Sequence, residues 1–291
     1  MPSMRDIKRR KVSIQSTQQI TKAMKLVSTV KLQRAKSKAE RIHAYFNCMY
    51  QTVNSMLERS GNIDHPFMKP NGSPKKAVIV ITSNRGLAGG YNSNIVKLVT
   101  GQDWAKEDVA IYAIGKKGRD TLNRRGYKIV SDESDMINEP LYSDAQMLAD
   151  ELLKAFSAGE VGEIYLAYTH FKNTVSHVPT LLKLLPVDLS ETAEQVEEVS
   201  LEQKKIPMNY EPEETEALNM IIPKYVTSLI YGALVEAVAS ENGARMQAMD
   251  SATSNAEEMI GSLELQYNRA RQGHITQELT EIIGGADALS N

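Results

Sequence analysis

From Ser3 to Arg59 the chain runs for 57 residues without a glycine or a proline. The residues that end helices are therefore missing over a length of about sixteen helical turns. Helices in globular domains usually span about 8–20 residues, so a continuous helix here needs a partner along its side. The break follows at once: "SGNIDHPFMKPNGSPKK", Ser60 to Lys76, holds two glycines and three prolines, the composition of a loop. A second helical stretch begins near "YEPEETEALNM", where Pro212 and the glutamates suit a helix N-terminus, and Gly284-Gly285 reads as its C-cap. Pro223 lies inside this stretch and predicts either a kink or the true start of the helix, because proline lacks the donor that a helix interior needs.

Charge and apolar spacing pair the two stretches. Residues 1–41 carry twelve basic side chains against Asp6 and Glu40, a net of +10. Residues 211–283 carry twelve acidic side chains against Lys224, Arg245, Arg269 and Arg271, a net of −8. In the basic stretch Ile20, Met24, Val27 and Val30 recur at steps of four, three and three, a narrow stripe flanked by Lys22, Lys25, Lys31, Arg34 and Lys36. In the acidic stretch Met249, Ala252, Ala256, Met259, Leu263, Gln266 and Ala270 alternate steps of three and four, which is heptad spacing. Two helices of opposite charge with narrow seams form an antiparallel coiled coil in which charge selects the partner and the seam supplies most of the stability. The competing readings of the basic helix are a solvated face or a nucleic-acid arm. A whole-chain charge of −2 and the lack of interleaved aromatics along the basic stretch weigh against nucleic acid.

The middle third has a different rhythm. "KAVIVITS" (Lys76 to Ser83) and "VAIYAIG" (Val109 to Gly115) are short apolar runs, followed by the helical patterns "NSNIVKLV" and "KKGRDTLNRRG". This is the β-α-β order of a mostly parallel sheet. "YSDAQMLADELLKAFSAG" predicts an amphipathic helix capped by Ser143, and "EIYLAYTHF" with "VPTLLKLLPV" predicts two further strands as a hairpin. The fold class expected is α/β: a long antiparallel coiled coil of N- and C-terminal helices (1–59 and 212–285), an inserted Rossmann-like α/β domain (75–190) and an acidic connection (191–211).

Signs of catalysis or cofactor binding are few. The loop "SNRGLAGGYNSN" follows the first strand, where a phosphate loop would stand. Gly86, Gly89 and Gly90 fit neither G-x-G-x-x-G nor G-x-x-x-x-G-K-[ST], so a tight strand-to-helix turn is the expectation. The five histidines are scattered, His170 and His177 lying closest, without cysteines or carboxylates at zinc-ligand spacing. No nucleophile elbow is present, and Glu257-Glu258 reads as solvated helix surface. No catalytic, cofactor or metal residue is therefore assigned. A single cysteine, Cys48, excludes an internal disulfide framework and fits a reducing compartment. No uninterrupted apolar run approaches bilayer length, and "MPSMRDIKRRKVS" has no apolar core after its charges.

"MRDIKRRKVSIQSTQQITKAMKLVSTVKLQRA", "NRGLAGGYN" and "ARQGHITQELTEIIGGA" resemble, in the same order and at the same ends, the gamma-subunit family of bacterial F-type ATP synthases. The family usually has Asp where this chain has Asn84, and many members have Cys where it has Ala88. The regulatory cysteine pair of chloroplast members is absent. The resemblance implies a non-catalytic central shaft, one copy per complex, standing inside a hexamer of alternating alpha and beta subunits. Proton-driven rotation of the membrane c ring would turn it and drive ATP synthesis, or the reverse, at the beta subunits. Its partners would be alpha, beta, epsilon and the c ring, with ATP, ADP and Mg held by alpha and beta. It would lie peripherally at the cytoplasmic face of the cell membrane, held there by partners alone and touching no nucleic acid. Carried over from the family's motifs, Met24, Lys25, Arg245 and Gln272 are expected to reach the beta subunits. Ile275, Leu279, Ile282 and Ile283 are expected to form a bearing in the hexamer. With the helices level near the middle domain, the second overshoots the first by roughly fourteen residues, about 20 Å of single helix.

Overall fold

The computed structural model describes residues 3–59, 65–187 and 214–290. Its elements, in chain order, are α1 (Met4–Arg59), β1 (Lys76–Ile81), α2 (Tyr91–Thr100), β2 (Val109–Ile114), α3 (Lys116–Arg124), β3 (Lys128–Asp132), α4 (Tyr142–Ser157), β4 (Glu163–Phe171), β5 (His177–Leu185) and α5 (Glu214–Ser290). They group into two compact units, residues 1–28 with 245–291 and residues 29–244.

In the larger unit the five strands lie in the order β3-β2-β1-β4-β5. β3, β2, β1 and β4 run parallel, and β5 returns antiparallel to β4. β1 occupies the centre, and its sequence KAVIVI is apolar without interruption because both of its faces are covered. Ala77, Ile79 and Ile81 pack with Leu148 and Leu152 of α4 and with Leu229, Ile230 and Leu234 of α5. Val78 and Val80 point the other way, into a second core with Ile95, Val96 and Val99 of α2 and Leu122 of α3. This layering is what a parallel sheet needs in order to bury two apolar faces. Polar groups also tie α5 to the sheet domain: the Tyr91 hydroxyl donates to the Ala237 carbonyl at 3.2 Å, and Ser240 Oγ to the Thr169 carbonyl at 3.1 Å. One stretch of α5 is long and apolar enough by composition to cross a bilayer, and most of it is buried within the structure.

Several local expectations change. β3 is an additional strand; its short, half-exposed alternation KIVSD carries little apolar weight. α4 starts at Tyr142 after an extended Leu141, so Ser143 lies inside the first turn and does not cap it. Pro223 is inside α5, not at its start, and the hydroxyls of Thr227 and Ser228 donate to the carbonyls of Pro223 and Lys224 across the following turn. Gly284 and Gly285 do not end α5, which continues to Ser290. Neither takes the positive φ of a C-cap, and a helix absorbs glycine at a cost of about 1 kcal/mol. The acidic connection at 191–211 lies outside the described residues.

The smaller unit pairs the start of α1 with the far end of α5. Ser3 opens α1 as an N-cap: its Oγ accepts from the Asp6 amide at 3.2 Å and donates to the Asp6 carboxylate at 2.8 Å. Lys11 meets Glu264 at 2.7 Å, Thr21 Oγ1 meets Thr253 Oγ1 at 2.8 Å, and Lys25 meets Asp250 at 2.6 Å. The advance of fourteen residues along α1 from Lys11 to Lys25 is matched by a retreat of fourteen along α5 from Glu264 to Asp250, so the pair is antiparallel.

Candidate functional site

The seam of this pair is not the stripe of bulky groups. Ile20, Val27 and Val30 are 58, 57 and 50 % exposed, and Met24 is only half-buried. The inward line of α1 is Ile7, Lys11, Ile14, Gln18, Thr21, Lys25 and Ser28, at strictly alternating steps of four and three. On α5 the buried and half-buried line is Met249, Thr253, Ala256, Ile260, Leu263, Tyr267 and Ala270. Four of the expected α5 seam residues hold their place, Ala252 is half-buried beside them, and Met259 and Gln266 are exposed, displaced inward by Ile260 and Tyr267. Ile7 and Ile14 give the seam its apolar part on α1, small and polar residues let hydroxyls and charges pair across the joint, and the stripe of Ile20, Val27 and Val30 faces outward.

The residues expected to meet partners are placed as follows. Met24 and Lys25 are adjacent on α1, and the Lys25 ammonium is engaged by Asp250 within the chain. Arg245 is half-buried just over one turn before Asp250. Gln272 is exposed and level with Ser3 in the register set by the cross-helix pairs. Twenty-two positions of α5 separate it from Asp250, about 33 Å along the axis. Three of the four thus share one level of the coiled coil and the fourth stands near its end. Beyond Gln272, α5 has no facing residue of α1 among the described residues and continues for eighteen more to Ser290. That is about 27 Å of single helix. On it Ile275, Leu279, Ile282 and Ile283 are 48, 54, 67 and 60 % exposed, at spacings that put them on one face.

The glycine-rich turn is held by its own side chains. The Ser83 amide donates to Asn92 Oδ1 at 2.9 Å, and Asn84 Oδ1 accepts from the Lys116 amide at 3.0 Å. Asn84 Nδ2 donates to the Ser134 carbonyl at 2.7 Å, a bond that an ionised aspartate at this position could not make. The Gly118 amide donates to Thr82 Oγ1, so two amides of the first turn of α3, a ready anion site elsewhere, already have acceptors. Gly115, at φ 110°, leads into that turn, and a Cβ there would stand 2.1 Å from the Thr82 carbonyl oxygen. Among the described residues no group of three His, Cys, Asp or Glu side chains converges.

Two charged clusters sit on the sheet. Burial alone would raise Glu163, but hydrogen bonds from Lys183, at 2.8 Å, and from Lys76 bring its pKa down to about 2. His170 Nδ1 lies 2.7 Å from Glu236 Oε2 of α5. That hydrogen bond raises the histidine above its ordinary value against the opposing effect of burial. Sequence reasoning noted His170 but not its partner, and it missed the pairs across the coiled coil. The series Ile7, Ile14, Thr21, Ser28 and Ala35, each seven apart, was the signal available.

The family model described as "ATP synthase" matches residues 3–289. The chain is 66 % identical over 291 residues to the ATP synthase gamma chain of Lachnoclostridium phytofermentans, covering all of both chains. It is 45 % identical to that of Alkaliphilus metalliredigens over 98 % of each chain. It is also 41 % identical to the sodium ion specific ATP synthase gamma chain of Acetobacterium woodii over 99 % of each. Among solved structures it resembles a chain of the Tetrahymena thermophila mitochondrial ATP synthase central stalk and c-ring at 25 % identity and a TM-score of 0.57, covering 80 % of this chain and 99 % of that one. A chain of the Euglena gracilis mitochondrial ATP synthase shares its fold at a TM-score of 0.66 and 19 % identity, over 98 % and 94 % of the two. With its two-helix coiled coil, its parallel-dominated sheet domain and this match along nearly its whole length, the chain belongs to the ATP synthase gamma-chain family.

Proposed function

We propose that this chain is the rotating shaft that couples ion flow through a membrane ring to ATP synthesis, or the reverse, at beta subunits that surround it. The observation that carries the reading is the coiled coil: its seam closes without Ile20, Val27 and Val30, which are left exposed on the outside in a chain of the gamma-chain family. A thin two-helix rod has no threefold symmetry, so each of three catalytic subunits around it meets a different face. Moving a site from 1:99 to 99:1 between two conformations takes about 5.5 kcal/mol of differential interaction. An exposed ion pair supplies about 0–1 kcal/mol, so many contacts must share that load, and the outward stripe of Ile20, Met24, Val27 and Val30 is suited to add apolar ones.

In this reading alpha and beta form the hexamer and hold ATP, ADP and Mg, while epsilon and the c ring bind the lower part of the shaft. One copy serves each complex, catalysis belongs to the partners, and the chain sits at the cytoplasmic face of the membrane through them. Arg245 and Gln272 contact beta, and Met24 does so beside the Lys25–Asp250 pair. The proton is the proposed coupling ion; a relative named as sodium ion specific shows that family membership is compatible with another. The test is a reversible lock. With Cys48 replaced by Ser, Val27→Cys and a cysteine in a facing loop of beta are cross-linked in the assembled complex. Multi-site ATP hydrolysis should fall to a few per cent and return on reduction. Full activity in the cross-linked complex would sink the rotary role.

A further inference from the structure

The end of the β4–β5 hairpin rests on α5 through His177, and the ring sits there without polar support. Phe171, its partner across the hairpin, packs against it at 5.8 Å between ring centres. Gly243 of α5 closes the contact, since a Cβ there would stand 2.6 Å from the ring. Both ring nitrogens are shut off from solvent and lack a hydrogen-bond partner among the described residues, as does Thr169 Oγ1, two residues before Phe171 on β4. A neutral imidazole carries one donor and one acceptor, so both are left unmade at a cost in desolvation. The turn itself is firmly built: Asn173 Oδ1 accepts from the Val175 and Ser176 amides at 2.9 and 2.7 Å. The hairpin end can therefore move as one piece.

Protonation would turn this ring into a cation with two donors, and the surrounding elements offer it no excess of negative charge. α2 and β5 contain no carboxylate; their charged residues are Lys97 and Lys183. Along α5, Glu241 and Arg245 stand two residues to either side of Gly243, one charge of each sign. Glu236 is engaged by His170, Lys36 and Glu40 of α1 stand 3.7 Å apart, and Glu163, at the far end of β4, is held by Lys76 and Lys183. Lys172 adds a positive charge just past β4. Burial accordingly favours the neutral ring, and the Thr174 backbone opposes it only in part. The stability of this contact is then fully present above the unfolded histidine value of about 6.5 and is lost as pH falls towards the lower folded value.

We propose that this contact is a proton-operated latch: the end of the β4–β5 hairpin grips α5 while His177 is neutral and lets go when the ring takes a proton. His170, through its bond to Glu236, acts in the opposite sense, so the release is confined to the hairpin beyond His170. The latch does not depend on the rotary reading.

The experiment compares backbone amide exchange of the full-length chain at about pH 7.5 and about pH 5, corrected for the intrinsic pH dependence of exchange. Peptides covering 172–181 and 238–246 should lose protection about tenfold or more in acid, while those of β1 and β2 keep theirs. The His177 ring resonances should titrate below about 6.5. His177→Phe keeps the ring and removes the proton site, so it should hold both peptides closed at either pH. His177→Gln, smaller and never charged, should do the same and covers the case in which phenylalanine overpacks against Gly243. His170→Gln should leave the acid release in place. Equal protection of the wild-type hairpin at both pH values, a loss spread equally over β1 and β2, or a release that persists in both His177 variants or disappears in His170→Gln would each overturn the proposal.

Discussion

Gly243 of α5 faces His177 at the start of β5, and a Cβ there would stand 2.6 Å from the ring Cε1 and 2.9 Å from Nε2. Replacing glycine by alanine inside a helix ordinarily stabilises by up to about 1 kcal/mol. Here the imidazole occupies that room, and burial keeps it neutral by lowering its pKa. Gly243→Ala should therefore destabilise by about 1–3 kcal/mol in urea unfolding, as overpacking does; a more stable variant would show that the ring moves aside freely. His170 behaves in the opposite sense. Its pKa is raised by Glu236, with Lys172 as the opposing charge. The pair therefore contributes fully below the unfolded value of about 6.5 and is lost as pH rises through the higher folded value. His170→Gln should lower Tm by about 2 °C at mildly acidic pH and leave it unchanged once the wild-type ring is neutral. An equal deficit at both ends of the titration would assign the residue to packing alone.

The coiled coil and the sheet were legible to different degrees because they announce themselves differently. β1 and β2 stood out as short apolar runs, since a strand covered on both faces has nothing polar in it, and the β4–β5 hairpin followed from the same signal. The antiparallel pairing followed from opposite charge. The seam did not, because bulky apolar groups were given more weight than strict spacing. Thr21 and Lys25 on one side meet Thr253 and Asp250 on the other, with Ser28 and Ala256 buried on the same lines. None is conspicuous in a hydrophobicity pattern. The Thr21–Thr253 contact gives a test of how that seam is held. Thr21 Oγ1 also bonds the Gln18 carbonyl and Thr253 Oγ1 the Met249 carbonyl, so neither hydroxyl is orphaned when the other is removed. Either single change to valine should cost less than about 1 kcal/mol, and the double change, which removes both polar groups together, should be neutral or stabilising. A double mutant cycle in thermal unfolding reads the coupling directly. A double variant that loses more than the two singles combined would mean that the hydroxyl pair fixes the register.

For the chain as a whole, the acidic helix outlasts its basic partner, and the consequence depends on what the excess is for. Past Gln272, α5 carries Ile275, Leu279, Ile282 and Ile283 on one exposed face, with nothing of α1 among the described residues to cover them. Burying four such side chains is worth about 1.5–3 kcal/mol each, so leaving them in water is a cost unless a partner covers them. On the proposed reading that partner is an apolar sleeve in the alpha-beta hexamer, and the tip is a bearing that centres the shaft. Torque would be transmitted lower down, at the level of Met24, Lys25 and Arg245, where two helices stand side by side and resist bending. Removal of Ile275 to Asn291 should therefore reduce the yield and thermal stability of assembled complexes while the surviving ones still rotate in a single-molecule assay. Ile282→Ser with Ile283→Ser should lower assembly in the same direction, by a smaller amount. Normal assembly of the truncated chain with rotation abolished would reverse the assignment, making the tip the transmitting element and the lower contacts the guide.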